Sequence, residues 1–402
     1  MKILHTADWH LGKVFEQSQI NFSLINEQKR ILEKITKISD DEKIDIVVIA
    51  GDIFDSYNPP NEARALFHET ILELSKHGER PVIVISGNHD SPEGLASIKP
   101  FTEKFGIFIH HLPREEKKTV RFSFTSFSAE QQGNWLHIEL KSGESVNFYL
   151  LPFVSETRLN EAFHGDHLFD KTLSYNDKIQ SLISSPPPFS GDHSILVSHI
   201  FVDRGLPGGS EKTLILGSSY TFETSRIPDS YSLVLLGHLH RAQQIEHRIF
   251  YSGSIFPMNV REIENSPSKY VSVFDMHPEG FDMDLIEILP ENYVDLKKFE
   301  TLEKALEHPI PEGLIFIEIE KPLTDQITFS EVVKKFKGKL LGITFGNPEE
   351  LEDEYYTRID PSKLSDRELF VEFYRKQTGT EPEEELIRIF LEIMNEVRNE
   401  AG

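Results

Sequence analysis

The 402-residue sequence predicts an α/β fold, a layered β-sandwich flanked by helices, with a small α/β capping unit and a C-terminal helical pair behind it. Three observations predict it. Short apolar, β-branched runs alternate with amphipathic stretches in the first half. Residues 119–154 change to a period-two alternation. Several of the apolar runs also end in small clusters of Asp, Asn and His.

The runs at residues 44–49, 81–85, 194–197 and 232–236 have the composition of strands covered on both faces. Amphipathic stretches near residues 24–39 and 61–77 are long enough to be crossover helices over a mostly parallel sheet. Thr119-Val120-Arg121-Phe122-Ser123-Phe124 alternates as a strand with one wet face, which predicts a second sheet packed on the first. Ser184-Ser185-Pro186-Pro187-Pro188 reads as a loop, and Gly205-Leu206-Pro207-Gly208-Gly209-Ser210 as a permissive loop able to border a site. Beyond residue 290 the pattern is a strand at 314–320, a helix at 330–337 and a strand at 340–345. Two helices follow, with capping-box spacing at Ser365-Asp366-Arg367-Glu368 and Thr380-Glu381-Pro382-Glu383. The expected domains are therefore 1–285, 286–350 and 351–402.

Composition narrows the class. With 38% hydrophobic and 27% charged residues the chain is a folded, soluble type, and with no cysteine it has no disulfides to hold it. There is no apolar signal core behind Met1 and no apolar run near the roughly 18 residues of a membrane span, so the expected location is cytoplasmic, with no membrane partner. Forty-two basic against 66 acidic side chains give a net charge of −24, which disfavours an unaided electrostatic DNA binder. Part of this excess is local, since residues 349–402 hold 16 acidic and 7 basic side chains.

The polar clusters carry the chemistry. They are Asp8-Trp9-His10, Gly51-Asp52-Ile53-Phe54-Asp55, Gly87-Asn88-His89-Asp90, Ser198-His199 and Gly237-His238-Leu239-His240. Ligands of an open α/β sheet bind beyond the carboxyl ends of its strands, so five such ends converge on one crevice. In a chain with 17 histidines, a single one such as His5, His77 or His193 reads as packing or surface, and Asp52 alone as a turn. Five ends carrying metal-ligand side chains together call for a shared function. Two cations about 3.5 to 4 Å apart can activate a water and stabilise the entering and leaving oxygens at phosphorus. Such a pair needs a bridging carboxylate, and Asp52 on a central strand is the natural one. Mixed imidazole, carboxylate and amide donors favour manganese or iron over magnesium, with zinc as an alternative.

In order and spacing, these motifs resemble the signature of the calcineurin-like metallophosphoesterases. His5-Thr6-Ala7-Asp8-Trp9-His10-Leu11-Gly12, together with Gly237-His238-Leu239-His240-Arg241-Ala242-Gln243, looks like the branch of bacterial SbcD-type nuclease subunits, kin of the meiotic-recombination-eleven repair nucleases. The resemblance covers about residues 1–280. It implies that Asp8, His10 and His240 hold one metal, that Asn88, His199 and His238 hold the other, and that Asp52 bridges them. It places His89 at the scissile phosphate, stabilising charge or protonating the leaving group. Asp55 and Asp90 would be partners that orient imidazoles, or else surface turn residues.

The resemblance further implies a Mn-dependent nuclease acting on double-stranded ends and on hairpin or single-stranded DNA in repair, recombination and replication. It also implies an SbcC-type ABC ATPase with a long coiled coil as partner, a homodimer, and a heterotetramer of the two subunits. A phosphomonoesterase or cyclic-nucleotide phosphodiesterase on the same metal centre is one alternative. A non-catalytic scaffold that tethers DNA is another. In the C-terminal helices Leu369, Phe370 and Phe373, then Leu386, Phe390, Ile393, Met394 and Val397, form apolar stripes. These stripes suit either the partner's coiled coil or the chain's own small domain.

Overall fold

The computed structural model describes residues 1–155, 158–159, 173–208, 221–321 and 325–346, with isolated residues between 367 and 391. It divides into two compact units, Met1–Thr344 and Phe345–Gly402. The starts of the two C-terminal helices, at Ser365 and Thr380, lie outside the described residues, as do Gly209 and Ser210 of the predicted loop.

The first unit is built on two stacked sheets. The first has six strands in the order β18 (Gly280–Leu289), β17 (Lys269–His277), β1 (Lys2–Thr6), β4 (Ile46–Ala50), β5 (Val82–Ile85) and β6 (Ile107–His110). Strands β1, β4, β5 and β6 run parallel, while β17 joins β1 antiparallel. The second has eight strands in the order β15 (Gln243–Glu246), β16 (Ile249–Tyr251), β14 (Leu233–Gly237), β11 (His193–His199), β10 (Ser145–Leu151), β9 (Trp135–Leu140), β8 (Phe127–Gln132) and β7 (Thr119–Ser123). Its centre, β10-β11-β14-β16, is parallel, and β7 to β10 form the antiparallel meander that the alternating stretch predicts.

Side-chain alternation along the strands explains the layering. Ile46, Val48, Ile83 and Ile85 point toward the second sheet and meet Phe148, Ile195, Val197 and Leu235 there. Val47, Ile49, Val82 and Val84 point the other way, onto helices α1 (Ile25–Asp41) and α2 (Asn61–Leu74), through Ile31, Leu32, Ile35, Phe67 and Ile71. Helix α3 (Pro92–Thr102) follows β5, its N-terminus capped by the Ser91 hydroxyl. On the far side Leu196, Val234 and Leu236 pack with α4 (Tyr175–Ile183). The central strands β4, β5 and β14, buried on both faces, are therefore uniformly apolar, as their sequences predict.

The smaller elements flank this sandwich. A hairpin of β2 (Val14–Gln17) and β3 (Ile20–Ser23) precedes α1, and the short pair β12 (Phe201–Val202) and β13 (Thr221–Phe222) lies beyond β11. Helix α5 (Val260–Asn265) leads into β17. A third sheet, β19 (Val294–Phe299), β20 (Leu314–Ile319) and β21 (Leu340–Phe345), carries α6 (Leu302–Glu307) and α7 (Gln326–Lys335) in its connections. The predicted strand, helix and strand are present there, with the helix starting earlier because Asp325 caps Ile327. Strand β19 and α6 were not foreseen, since Val-Asp-Leu-Lys-Lys-Phe is half exposed and rich in charge. Val294, Leu314, Phe316 and Leu341 join the same core as Phe15 and Leu24. Among the described residues no helix is long and apolar enough to cross a membrane.

Phe274 is fully buried between the two large sheets, in edge contact with Phe250 and Phe281 at 5.1 and 5.6 Å between ring centroids. Phe274→Ala leaves a cavity that neighbouring strands cannot close, and should cost about 3 to 5 kcal/mol in chemical denaturation. A loss below about 1 kcal/mol would mean that the sheets do not pack through this residue.

Candidate metal centre

The carboxyl ends of β1, β4, β5, β11 and β14 meet on one side of the sandwich. Two glycines permit this closeness. A Cβ on Gly237 would lie 1.9 Å from the Ala50 carbonyl oxygen, and one on Gly87 would lie 2.2 Å from the Asp52 nitrogen. The chain after β1, β4 and β14 is also strained. Asp8, His10, Asp52 and His238 all have positive φ, at 52°, 45°, 49° and 100°. Non-glycine residues hold such conformations only where the surroundings enforce them, and such places cluster at functional sites.

The enforcement is visible. Asp8 and His10 donate their backbone N–H groups to the carbonyls of Gly51 and Asp52, both at 3.0 Å. Gln28, buried in α1, donates to the carbonyls of Trp9 and His10 at 3.1 and 2.7 Å and accepts from Gly12 at 3.1 Å. Asp90 accepts from the backbone N–H groups of Gly87, Ile53 and Phe54 at 2.7, 3.1 and 2.9 Å, tying two of the loops together. The carboxylate of Asp8 accepts from the His238 N–H at 3.0 Å.

All seven predicted ligands come together here. Asp8, His10 and His240 offer ligand atoms within 4.8 Å of one another, with His10 Nε2 3.1 Å from His240 Nε2. Asn88 Oδ1 lies 3.0 Å from His199 Nε2 and 2.9 Å from His238 Nδ1. Between these groups, Asp52 Oδ2 is 3.6 Å from His10 Nε2 and 3.5 Å from His199 Nε2. Imidazole nitrogens and carboxylate or amide oxygens thus crowd around two centres with one carboxylate at their seam. This donor set suits divalent manganese, iron or zinc. Ring orientation agrees, because His199 Nδ1 donates to the Ala50 carbonyl at 2.8 Å and His240 Nδ1 to Glu262 Oε1 at 2.9 Å, leaving each Nε2 turned inward.

Crowding shifts the protonation of the centre. Burial pushes the Asp8 carboxyl up to about 7, reinforced by the charge of Asp52. Burial also disfavours charge on His10 and His238, which fall to about 4 and about 3. Burial opposes charge on His199 too, but Asp52 beside it prevails and raises that imidazole to about 9. Burial works against the Asp52 carboxylate, yet His199 and His10 hold it well below the usual range.

The remaining predicted residues are close by. His89 donates its backbone N–H to Asp52 Oδ1 at 2.8 Å, its Nδ1 lies 2.8 Å from the Asp55 carbonyl, and its ring offers a nitrogen within 4.8 Å of ligand atoms of His10 and Asp52. The His89 and His10 rings meet edge to face at 4.8 Å, and one oxygen of Asp55 is 3.6 Å from His10 Nδ1. Asp90 serves backbone groups instead of a ring.

Sequence reasoning missed Glu262, Lys269 and Gln28. The first stands three residues after Asn259, whose side chain accepts its N–H at 2.9 Å, so its spacing reads as an ordinary helix cap. Gln28 reads as one polar position on a helix.

Comparison with known proteins agrees with the motifs. The sequence profile of the calcineurin-like phosphoesterase family matches residues 1–242. The SbcD subunit of the nuclease SbcCD from Bacillus subtilis (strain 168) is 34% identical over 415 aligned positions, covering 100% of this chain and 99% of the relative. Similar solved structures include the calcineurin-like phosphoesterase YfkN of Bacillus subtilis, with a TM-score of 0.35 and 12% identity over 72% of this chain and 90% of that one. GAP50, the anchor in the inner membrane complex of Plasmodium, has a TM-score of 0.37 and 13% identity over 72% of this chain and 84% of that one.

With His199 raised to about 9, its Nε2 carries a proton at neutral pH that a cation must displace. Manganese affinity should therefore rise about tenfold per pH unit from this group between pH 7 and 9 and level off above. His10 and His238, already neutral, contribute nothing in that range. Calorimetric titration in buffers of differing ionisation heat reads the released protons; an affinity flat from pH 7 to 8.5 would contradict the assignment.

Proposed function

The chain belongs to the calcineurin-like phosphoesterase family, a family of metal-dependent phosphodiesterases, and from that premise we propose that it is the catalytic subunit of a two-metal DNA nuclease. It trims double-stranded ends and opens hairpin or single-stranded DNA in break repair and recombination. The observation that carries the metal chemistry is Asp52 Oδ2, poised between His10 Nε2 and His199 Nε2 at 3.6 and 3.5 Å. The choice of DNA over a small phosphoester is supported by full-length similarity to a nuclease subunit.

In this reading Asp8, His10 and His240 hold one cation, Asn88, His199 and His238 the other, and Asp52 both. Manganese is the preferred ion because the donors mix nitrogen and oxygen. When bound, the pair activates a water and offsets negative charge at phosphorus. The water oxygen bonds to phosphorus as the ester oxygen departs, and the departing oxygen needs a proton. His89 would give it from Nε2 in its doubly protonated form, with Nδ1–H bonded to the Asp55 carbonyl, and the ring would regain that proton from solvent, where the attacking water's proton also goes. Asp55 steadies His89 and faces His10, and Asp90 fixes the loops that carry Asp52 and Asn88.

The partners follow the same reading. An SbcC-type ATPase with a coiled coil supplies much of the DNA grip that a net charge of −24 denies this chain. Residues 286–350 form a capping unit and 351–402 dock on the root of the coiled coil, and two copies of each subunit make a heterotetramer.

Two outcomes are expected. Asp52→Ala should lose bound manganese and abolish cleavage, while His89→Ala keeps two manganese ions per chain and loses about 10² to 10⁴-fold in rate. Elemental analysis beside a labelled-duplex assay separates them: loss of one ion in the His89 variant would make it a ligand, and cleavage of small phosphoesters alone would favour a phosphodiesterase of another kind. The isolated chain should also bind duplex DNA weakly at physiological salt, and tightly once the ATPase is added. Strong, steeply salt-dependent binding by the chain alone would show that it grips DNA unaided.

A further inference from the structure

Two of the rings that face the centre through Nε2, His199 and His240, are anchored differently. His199 donates from Nδ1 to a neutral acceptor, the Ala50 carbonyl, at 2.8 Å. His240 donates from Nδ1 to a carboxylate, Glu262 Oε1, at 2.9 Å. Glu262 has no solvent exposure, and its other oxygen is held by Lys269 Nζ at 2.9 Å. Lys269 is 2% exposed and also donates to Ser254 Oγ at 2.9 Å and to the His240 carbonyl at 3.2 Å. The Met258 N–H reaches the same Glu262 oxygen at 3.2 Å.

A buried carboxylate with one oxygen committed to a buried ammonium and the other to a ring N–H is a fixed acceptor. It allows His240 one arrangement, with the proton on Nδ1 and the lone pair of Nε2 directed at His10 Nε2, 3.1 Å away. Lys269 binds both ends of the linkage, through Glu262 and through the main chain of His240 itself, so the ring can neither tilt nor flip without breaking a charged bond. A carboxylate acceptor also makes the opposite nitrogen a stronger donor to a cation than a carbonyl does.

We infer that Glu262 is a positioning residue for the metal centre, held by Lys269, and that it makes the site of Asp8, His10 and His240 the tighter of two unequal cation sites. This rests on the metal-centre reading above. Its consequence is sequential loading: one cation is retained at concentrations where the site of Asn88, His199 and His238 is still exchanging.

The test is manganese titration of the metal-free, full-length chain, followed by calorimetry and by the electron paramagnetic resonance of free ion. Wild type should show two classes of site. Glu262→Gln, which keeps the side-chain shape, should weaken the tighter class about 10 to 100-fold and leave the weaker one unchanged. Because Lys269 then lacks its counter-charge in the interior, Glu262→Met with Lys269→Met provides a second variant free of that buried pair, which should fold and show the same selective loss. Adding Glu262→Gln to His240→Ala should change nothing further, since Glu262 acts through that ring. Equal weakening of both classes in a folded variant, or none, overturns the inference while leaving the metal centre standing. A wild type that takes up no manganese overturns both.

Discussion

The two large sheets meet at the Ala50 carbonyl. That oxygen accepts from the His199 ring at 2.8 Å and occupies the space where a side chain on Gly237 would begin. The first sheet supplies Ala50 and the second His199 and Gly237, so the contact draws the carboxyl edges of both sheets together. Everything at the centre depends on it. With the edges apart, Asp52 would face His10 alone, and no carboxylate could stand between rings from different sheets.

Bringing these edges together has an electrostatic cost, and the surrounding structure offsets it in stages. Two buried carboxylates, Asp8 and Asp52, lie among imidazoles, and the Asp52–His199 pairing relieves part of their repulsion. Around them stands a layer of buried groups whose bonds run outward: Gln28 to the first loop, Asp90 to the second and third, Glu262 with Lys269 to the last. Each buried polar group in that layer has its partners, as it must where water is excluded. Strained backbone at Asp8, His10, Asp52 and His238 is tolerated because this layer leaves the loops no alternative path.

The acidity of the chain fits the same division. Acidic side chains are in excess overall and concentrate near the end of the sequence, while the centre gathers groups that bind cations. Cations held there would give the site the positive potential that the side chains lack. In the function proposed above, a polyanionic substrate would then meet a local attraction within an overall repulsive field.

The amino-acid sequence by itself determined the layered fold and the polar clusters at five strand ends, because both follow from local pattern, while the family resemblance singled out seven candidate ligands within those clusters. Strands buried on two faces read as apolar runs, and polar groups gathered at their carboxyl ends follow closely in sequence, as Asp8, Asp52, Asn88, His199 and His238 do. What only the tertiary structure decided is how those ligands are held. Glu262 and Gln28 carry signals indistinguishable from a helix cap and a helix surface, since their partners lie 22 and 18 residues away in sequence. Strand β19 escaped notice for a related reason: one face is wet and charged, and its pairing with β20 bridges a helix. Which nitrogen of each imidazole turns inward is likewise absent from any local pattern. It is set by what stands behind the ring, a carbonyl behind His199 and a carboxylate behind His240, and folding alone puts them there.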